Sequence, residues 1–204
     1  PYLSHTQMSL WLKSPEQYKQ QYFEGHRFEP TPYMRHGQAI AKLIEQNHES
    51  VRFVPRLQYP EHEIRTVIAG VPTLSYLDSF ENHPRFSFLE YKCSKNPWTQ
   101  EMVNASSQLL FYAAAIRAAY GELPKTAHLV WLHTRLVTQV PDERGVVWEE
   151  VKDGIIELDG SATILERKIV AEEVNAFEEE IVRAAKEIET AWKEYENTEP
   201  TTVS

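Results

Sequence analysis

The stretch from residue 73 to residue 93 reads TLSYLDSFENHPRFSFLEYKC, and it decides the fold. Residues 73–80 and 85–93 are rich in β-branched and aromatic side chains and flank the breaker Glu-Asn-His-Pro, a pattern typical of two strands joined by a turn. Asp78 lies near the end of the first predicted strand, and Glu90 and Lys92 lie near the end of the second. Residues two apart in a strand share a face, so Glu90 and Lys92 project to one side.

Two carboxylates and an amine that converge in this way suit a hard divalent cation such as Mg²⁺, which takes oxygen ligands and keeps several waters. A nearby lysine can orient the attacking water or help to deprotonate it. The sequence therefore predicts a metal site at Asp78, Glu90 and Lys92, and phosphodiester hydrolysis as its use.

The tripeptide Glu-x-Lys is weak by itself, because it begins at Glu90, at Glu150 and at Glu166. The third match precedes a helix that opens with two glutamates, and these would repel DNA. The first match has an aspartate twelve residues before it and precedes a predicted helix on which Gln108 and Tyr112 form an i, i+4 pair on one face. We therefore place the site at the first match.

Outward from this stretch, the chain alternates helix and strand signals. Capping patterns at residues 4–7 and 14–17 predict two short helices before a Pro-containing loop. A weaker β stretch precedes the last helix, whose apolar residues are spaced alternately by three and four. The predicted helices cover residues 4–12, 15–23, 36–48, 99–120 and 171–196, and the predicted strands cover residues 51–59, 64–70, 73–80, 85–93 and 127–137, with weaker β segments at 146–148, 154–158 and 162–170.

Composition limits the class of protein. The 204 residues are 42% apolar and 25% charged, which favours one folded domain. Cys93 is the single cysteine, so an intrachain disulfide and a Cys-only zinc or iron-sulfur site are excluded, and a reducing cytoplasm is predicted. The longest apolar run, residues 109–116, is far shorter than the roughly 20 residues of a membrane span. The N-terminal residues also lack the pattern of a secretory leader.

Charge is distributed unevenly along the chain. The net charge is -9, which by itself argues against a polyanionic partner. Residues 1–120 carry 12 Lys and Arg against 11 Asp and Glu, whereas residues 121–204 carry 9 against 19. The acidity therefore belongs to the C-terminal part, and a nucleic-acid site in the first 135 residues is compatible with the composition.

The order of these motifs resembles the PD-(D/E)xK nuclease superfamily, and within it the RecB-type and RecE-type exonucleases of bacteria and phages. The resemblance covers about residues 3–135 and includes the Ser-rich helix start at Ser4, the Ser14-Pro15 pair with Tyr18, and the order of acid, acid and lysine. It implies an α/β (α+β) fold with a restriction-endonuclease-like αβββαβ core, a central mixed sheet flanked by helices, and a long C-terminal helix. We expect one domain over residues 1–204, with a core at about 33–135, N-terminal helices at 4–23 and an acidic extension at 140–197.

The resemblance also assigns roles to single residues. Asp78 and Glu90 would be the acidic ligands of Mg²⁺ or Mn²⁺, the Tyr91 carbonyl would add a ligand, and Lys92 would place the hydrolytic water. Gln108 and Tyr112 match the family's Gln-x-x-x-Tyr motif and would brace the site or contact the DNA strand. Candidate phosphate contacts on neighbouring segments are Lys95, Arg35 and Arg85.

Two departures from the family pattern matter. The family often has Gly-x-x-x-His on its first core helix, but this chain has Gly37 and then Ala41. Glu45, one helical turn later on the same face, is the candidate replacement ligand. The family's Cys-Pro is Ser14-Pro15 here, so the iron-sulfur cluster of some relatives is excluded by the cysteine count.

These motifs support two functional hypotheses. The first is a cytoplasmic, metal-dependent DNA exonuclease of recombination or repair, bacterial or phage-derived, that acts alone, as a homo-oligomer or with a recombination protein. The second is a non-catalytic nuclease-fold module that binds DNA or a partner protein. For single residues the structural alternatives stay open: Asp78 as a strand end, Glu90 and Lys92 as a solvated strand face, Gln108 and Tyr112 as helix packing, and the last helix as a partner surface instead of a packed one.

Overall fold

The computed structural model describes residues 2–82, 86–137, 148–151 and 154–198. Helices and strands alternate much as the sequence predicts, and the class is α+β. The helices are α1 (His5–Lys13), α2 (Pro15–Tyr22), α3 (Pro32–Glu45), α4 (Gln100–Asn104), α5 (Ser107–Tyr120) and α6 (Ala171–Thr198), and the strands are β1 (Tyr59–Ile68), β2 (Val71–Glu81), β3 (Ser87–Ser94), β4 (Thr126–Val137), β5 (Trp148–Val151) and β6 (Gly154–Lys168).

The described strands form one mixed sheet in the order β1-β2-β3-β4-β6-β5. Strands β1, β2 and β3 pair antiparallel, and β3 and β4 pair parallel. A parallel pair needs a long crossover, which α4 and α5 supply. Strands β6 and β5 extend the sheet antiparallel beyond β4. The mixed sheet flanked by helices and the long C-terminal helix confirm the predicted fold class.

Side-chain caps fix the N-terminal helices. Ser4 and Gln7 form both hydrogen bonds of a capping box at the start of α1, and Ser14 caps α2 before Pro15. The predicted start of α3 at residue 36 is wrong, because Thr31 caps a helix that has Pro32 in its first turn. Proline is compatible with that position, since its missing N–H would have no partner there.

Other local predictions also need correction. The predicted strand at 51–59 is instead a 3₁₀ turn, Glu49–Val51, followed by irregular chain up to β1. Residues 60–62, which lie in the gap between the predicted strands 51–59 and 64–70, are inside β1. The single helix predicted at 99–120 is two helices, and the weak β segments at 154–158 and 162–170 are one strand, β6.

Buried side chains lie on both faces of the sheet. On one face, α5 contributes Leu109, Phe111 and the run Ala113–Ile116, and α1 and α6 pack around it. The predicted apolar stripe of α6 contacts this core through Val174, Phe177 and Ile181, so it packs on the domain. On the other face, α3 buries Ile40 and Ile44 against β3, β4 and β6. In the described part of the chain, no helix is both long and apolar enough to cross a membrane.

Two glycines give a test of the backbone. Gly121 ends α5 in the left-handed conformation, with φ of 82°, whereas Gly37 is helical inside α3, and both have open space where an alanine methyl group would lie. We expect Gly121→Ala to lower the free energy of unfolding by about 1 kcal/mol, because alanine is strained at positive φ. Gly37→Ala should raise it by up to about 1 kcal/mol. Urea denaturation measures both, and equal signs would contradict the two assignments.

Candidate active site

The ladder between β2 and β3 ends at the predicted site. The pair nearest to it is Ser79 with Leu89, so the next positions on the two strands are Asp78 and Glu90. There the backbone N–H of Tyr91 donates to Asp78 Oδ2 at 2.6 Å. The aspartate side chain therefore accepts a main-chain hydrogen bond from β3, and this bond holds its carboxylate beside the second acid.

Glu90 is a buried carboxylate with one oxygen in use. Its residue is 4% exposed, and Oε1 contacts Lys92 Nζ at 2.6 Å. Oε2 is buried and has no hydrogen-bond partner among the described residues. A buried charged oxygen without a partner costs free energy that a cation or a donor removes. Glu90 Oε2 is therefore positioned to take a ligand from outside the protein.

A chain of hydrogen bonds fixes the ammonium group of Lys92. Lys92 Nζ donates to Gln108 Oε1 at 2.8 Å, and Gln108 Nε2 donates to the Tyr112 hydroxyl at 2.9 Å. The last two residues are one turn apart on α5, as the sequence predicts. Lys92 is 31% exposed, whereas the Glu90 side chain beneath it is 5% exposed. The ammonium group therefore reaches solvent from a buried acidic partner.

The electrostatics of the site favour a cation. Burial raises the pKa of Asp78 well above its usual value, and the carboxylate of Glu90 raises it further. The Tyr91 N–H opposes this shift, Glu61 adds to it, and Lys92 opposes it. Two carboxylates held together at this cost are stabilised when a positive ion lies between them.

Glu61 is a third acid at this site, and the sequence patterns do not reveal it. Pro60 pairs with Ser79 and His62 with Leu77, so Glu61 lies opposite Asp78 across β1 and β2. Its φ is 47°, which is rare for a residue other than glycine and is often found at functional sites. Burial and the carboxylates of Glu45 and Glu90 raise the pKa of Glu61. Glu61, Asp78 and Glu90 thus occupy neighbouring positions on three adjacent strands.

Four other residues were predicted at or near the site, and the structure describes three of them. Glu45 is exposed at the end of α3, and its carboxylate helps to raise the pKa of Glu61. Lys95 is exposed just after β3, and Arg35 is exposed on α3, where its guanidinium donates to the Pro30 carbonyl at 2.9 Å. Arg85 lies outside the described residues. The roles of these residues stay predictions.

The two competing Glu-x-Lys matches differ from the first. Glu166 lies on β6 with its side chain 53% exposed, and its carboxylate lies 3.5 Å from His128. Glu150 lies on β5, and its side chain and Lys152 are outside the described residues. Of the two matches whose side chains are described, Glu90 is the buried acid with a lysine partner.

The donors at the site fit a magnesium ion held by few protein ligands. Within residues 2–82, 86–137 and 154–198, no three His, Cys, Asp or Glu side chains lie together as a metal-holding group. An ion that binds here would therefore have Asp78 and Glu90 as its acidic ligands and would keep several waters. Mg²⁺ commonly binds through one or two carboxylates in this way. Glu45 and Glu61 would then act on it from outside the ligand shell.

Comparison with known proteins adds a distant likeness. No family model matches this chain, and no curated protein matches its sequence. The crystal structure of SSO0001 aligns over 89% of this chain and 75% of its own, with a TM-score of 0.41 and 12% identity. A Eubacterium rectale protein named "Putative exonuclease" aligns over 88% of this chain and 63% of its own, with a TM-score of 0.35 and 12% identity.

Proposed function

We propose that this protein is a metal-dependent deoxyribonuclease that hydrolyses phosphodiester bonds with Mg²⁺ or Mn²⁺. The observation that carries the proposal is the buried Glu90 Oε2, which has no partner among the described residues and lies beside Asp78 and Lys92. Exonuclease action, a role in DNA recombination or repair, and a bacterial or phage origin are the finer parts of the proposal. They rest on the motif order in the sequence.

Asp78 and Glu90 hold the ion in this proposal, and the Tyr91 carbonyl is the candidate third protein ligand. When bound, the ion lowers the pKa of a water and neutralises charge on the phosphate. The Tyr91 N–H keeps the Asp78 carboxylate in place through the 2.6 Å hydrogen bond. Because Glu90 is buried, water screens its charge only weakly, and its attraction for a nearby cation is strong.

Lys92 positions the reacting groups. An ammonium group has three N–H donors, and the contacts with Glu90 and Gln108 use two of them. The third is available to a water or a phosphate oxygen on the solvent side. In this proposal Lys92 therefore orients the hydrolytic water over the site.

Gln108 and Tyr112 brace this lysine. The amide of Gln108 is held at both ends, because its oxygen accepts from Lys92 and its nitrogen donates to the Tyr112 hydroxyl. Burial raises the pKa of Tyr112, and Glu90 adds to the shift, so the phenol stays protonated. Its own O–H has no acceptor among the described residues, and in this proposal it donates to a bound strand. Lys95 and Arg35 are exposed and are the candidate contacts for phosphates in this proposal.

The alternative is a nuclease-fold module that binds DNA or a partner protein without cutting. It is favoured by Ala41 in the position of the usual family histidine and by the excess of acidic residues after residue 120. Such a module would bind DNA but would release no nucleotides when Mg²⁺ or Mn²⁺ is added. Nuclease assays with both ions therefore separate the two proposals.

Glu90→Gln should reduce Mg²⁺-dependent cleavage of DNA by at least about 100-fold, since even outer-shell partners of metal sites contribute about 10-fold to 100-fold. Glutamine keeps the size of the side chain but removes the charge that the ion needs. The matched control is Glu166→Gln in the competing motif, which should stay within a few fold of the parent. Gel assays with labelled DNA, together with circular dichroism to check folding, measure the effect.

Undiminished cleavage by a folded Glu90→Gln protein would dispose of this assignment. Equal losses in Glu90→Gln and Glu166→Gln would show that the gel assay reads stability instead of chemistry.

Glu61→Gln should raise the Mg²⁺ concentration needed for half-maximal cleavage by about two- to fivefold, the size of a partly screened charge interaction. The matched control is Glu63→Gln on the same strand. The Glu63 carboxylate already binds Arg65 Nε at 2.6 Å and the Tyr76 hydroxyl at 2.7 Å. A Mg²⁺ titration of initial rates measures both. If Glu63→Gln shifts the titration as much as Glu61→Gln does, Glu61 has no special relation to the ion.

A further inference from the structure

A cavity of about 370 Å³ lies beside the candidate active site, between the N-terminal segment, β2 and α5. Its wall is formed largely by hydroxyl-bearing side chains, and none of the described residues that line it is Asp, Glu, Lys or Arg. The hydroxyl-bearing residues that line it are Tyr2, Ser4, Thr6, Tyr22, Ser75, Tyr76 and Tyr112. The volume falls within the roughly 300 to 1,000 Å³ of small-molecule sites.

Two side chains, Tyr112 and Gln108, connect this cavity to Lys92. Tyr112 lines the cavity, and its hydroxyl binds Gln108, which in turn binds Lys92. On β2, Ser75 and Tyr76 lie three and two residues before Asp78. The cavity and the candidate active site are therefore connected through β2 and through the side chains of α5.

Ser75 is a lining residue whose hydrogen bonding is incomplete. Ser75 is 2% exposed, and its buried hydroxyl has no hydrogen-bond partner among the described residues. Buried hydroxyl groups are almost always paired, because an unpaired one costs free energy. His5, another lining residue, is uncharged near neutral pH, since burial and then Lys92 lower its pKa to about 4. The cavity thus presents polar but neutral groups.

These groups suit a nucleobase and do not suit a phosphate. A phosphate in a cavity is usually held by Arg, Lys or several backbone N–H groups, whereas a base needs neutral donors, neutral acceptors and aromatic rings for stacking. A base has to leave its duplex partner before it enters such a pocket. The cavity would therefore take a base from an unpaired strand.

A second cavity adjoins the first. It has a volume of about 630 Å³ and shares Tyr2, Gln7 and Tyr22 with the first. Its wall is mostly apolar and aromatic and extends to Phe23 and Trp192. Aromatic rings along a groove are a common platform for successive bases of a single strand.

We propose that the first cavity binds a base of single-stranded DNA next to the phosphodiester that is cut, so that the substrate is an unpaired strand. This inference rests on the proposed nuclease function for its meaning, but binding can be measured without cleavage. The probe is a single-stranded oligodeoxynucleotide with 2-aminopurine at successive positions, and the same strand in a blunt duplex. Both are titrated with the full chain in EDTA.

The parent should quench 2-aminopurine saturably in the single strand and at least about tenfold more weakly in the duplex. Ser75→Val should raise the Kd for the single strand by about tenfold, because it removes one hydrogen bond from a buried site. The matched control is Thr73→Val, which removes a hydroxyl of equal burial that already binds the Thr66 carbonyl at 3.3 Å. Thr73→Val should leave the Kd within twofold of the parent.

Thr6→Val provides a second variant, because Thr6 is exposed on α1 and its substitution does not threaten the core. If Ser75→Val fails to fold, Thr6→Val tests the inference in its place. We expect Thr6→Val to raise the Kd for the single strand severalfold. Equal binding of single strand and duplex, or an unchanged Kd in the folded cavity variants, would overturn the inference. If the parent cuts DNA and these variants bind the single strand normally, the base-binding role of the cavity is refuted, whereas the proposed nuclease function is not. A parent that binds the single strand but never cuts with Mg²⁺ or Mn²⁺ would refute the nuclease function alone.

Discussion

The contact between the Tyr91 N–H and the Asp78 carboxylate is the interaction on which the site depends. It occurs where the β2-β3 ladder ends, and it holds the Asp78 carboxylate beside the buried Glu90. Two carboxylates placed together in a partly buried position are unfavourable, and the raised pKa of Asp78 reflects this cost. Lys92 offsets part of it, and a divalent cation would offset the rest.

Helix α5, and the elements that pack against it, hold Lys92 beside these acids. Helix α5 carries Gln108 and Tyr112, and its run of small buried residues, Ala113–Ala115, lets it lie close to the sheet. A residue far along the sequence stabilises the break between α4 and α5. The buried Arg167 of β6 donates to the Ser106 carbonyl at 2.7 Å and contacts Glu173 of α6. The C-terminal strand and helix therefore help to place the first turn of α5, where Gln108 lies.

Much of this arrangement could be predicted, since strand periodicity and capping are local properties. The positions of Asp78, Glu90 and Lys92 on two neighbouring strands follow from the alternation of the sequence, and Ser4 and Ser14 mark helix starts. The prediction of a strand at 51–59 is wrong because the apolar residues of this segment pack against α3 as irregular chain. Glu61 could not be predicted because a positive φ in a glutamate depends on its tertiary surroundings, and the break in the helix at 105–106 depends on Arg167 far along the chain.

The most direct test of the proposed metal site is anomalous scattering from crystals of this protein grown with Mn²⁺. We expect one strong peak between the carboxylates of Asp78 and Glu90, about 2.0 to 2.6 Å from an oxygen of each. Crystals of the Asp78→Asn protein should lack that peak. A peak bound elsewhere in the parent, or no peak under conditions in which the same protein cuts DNA, would contradict the proposed centre.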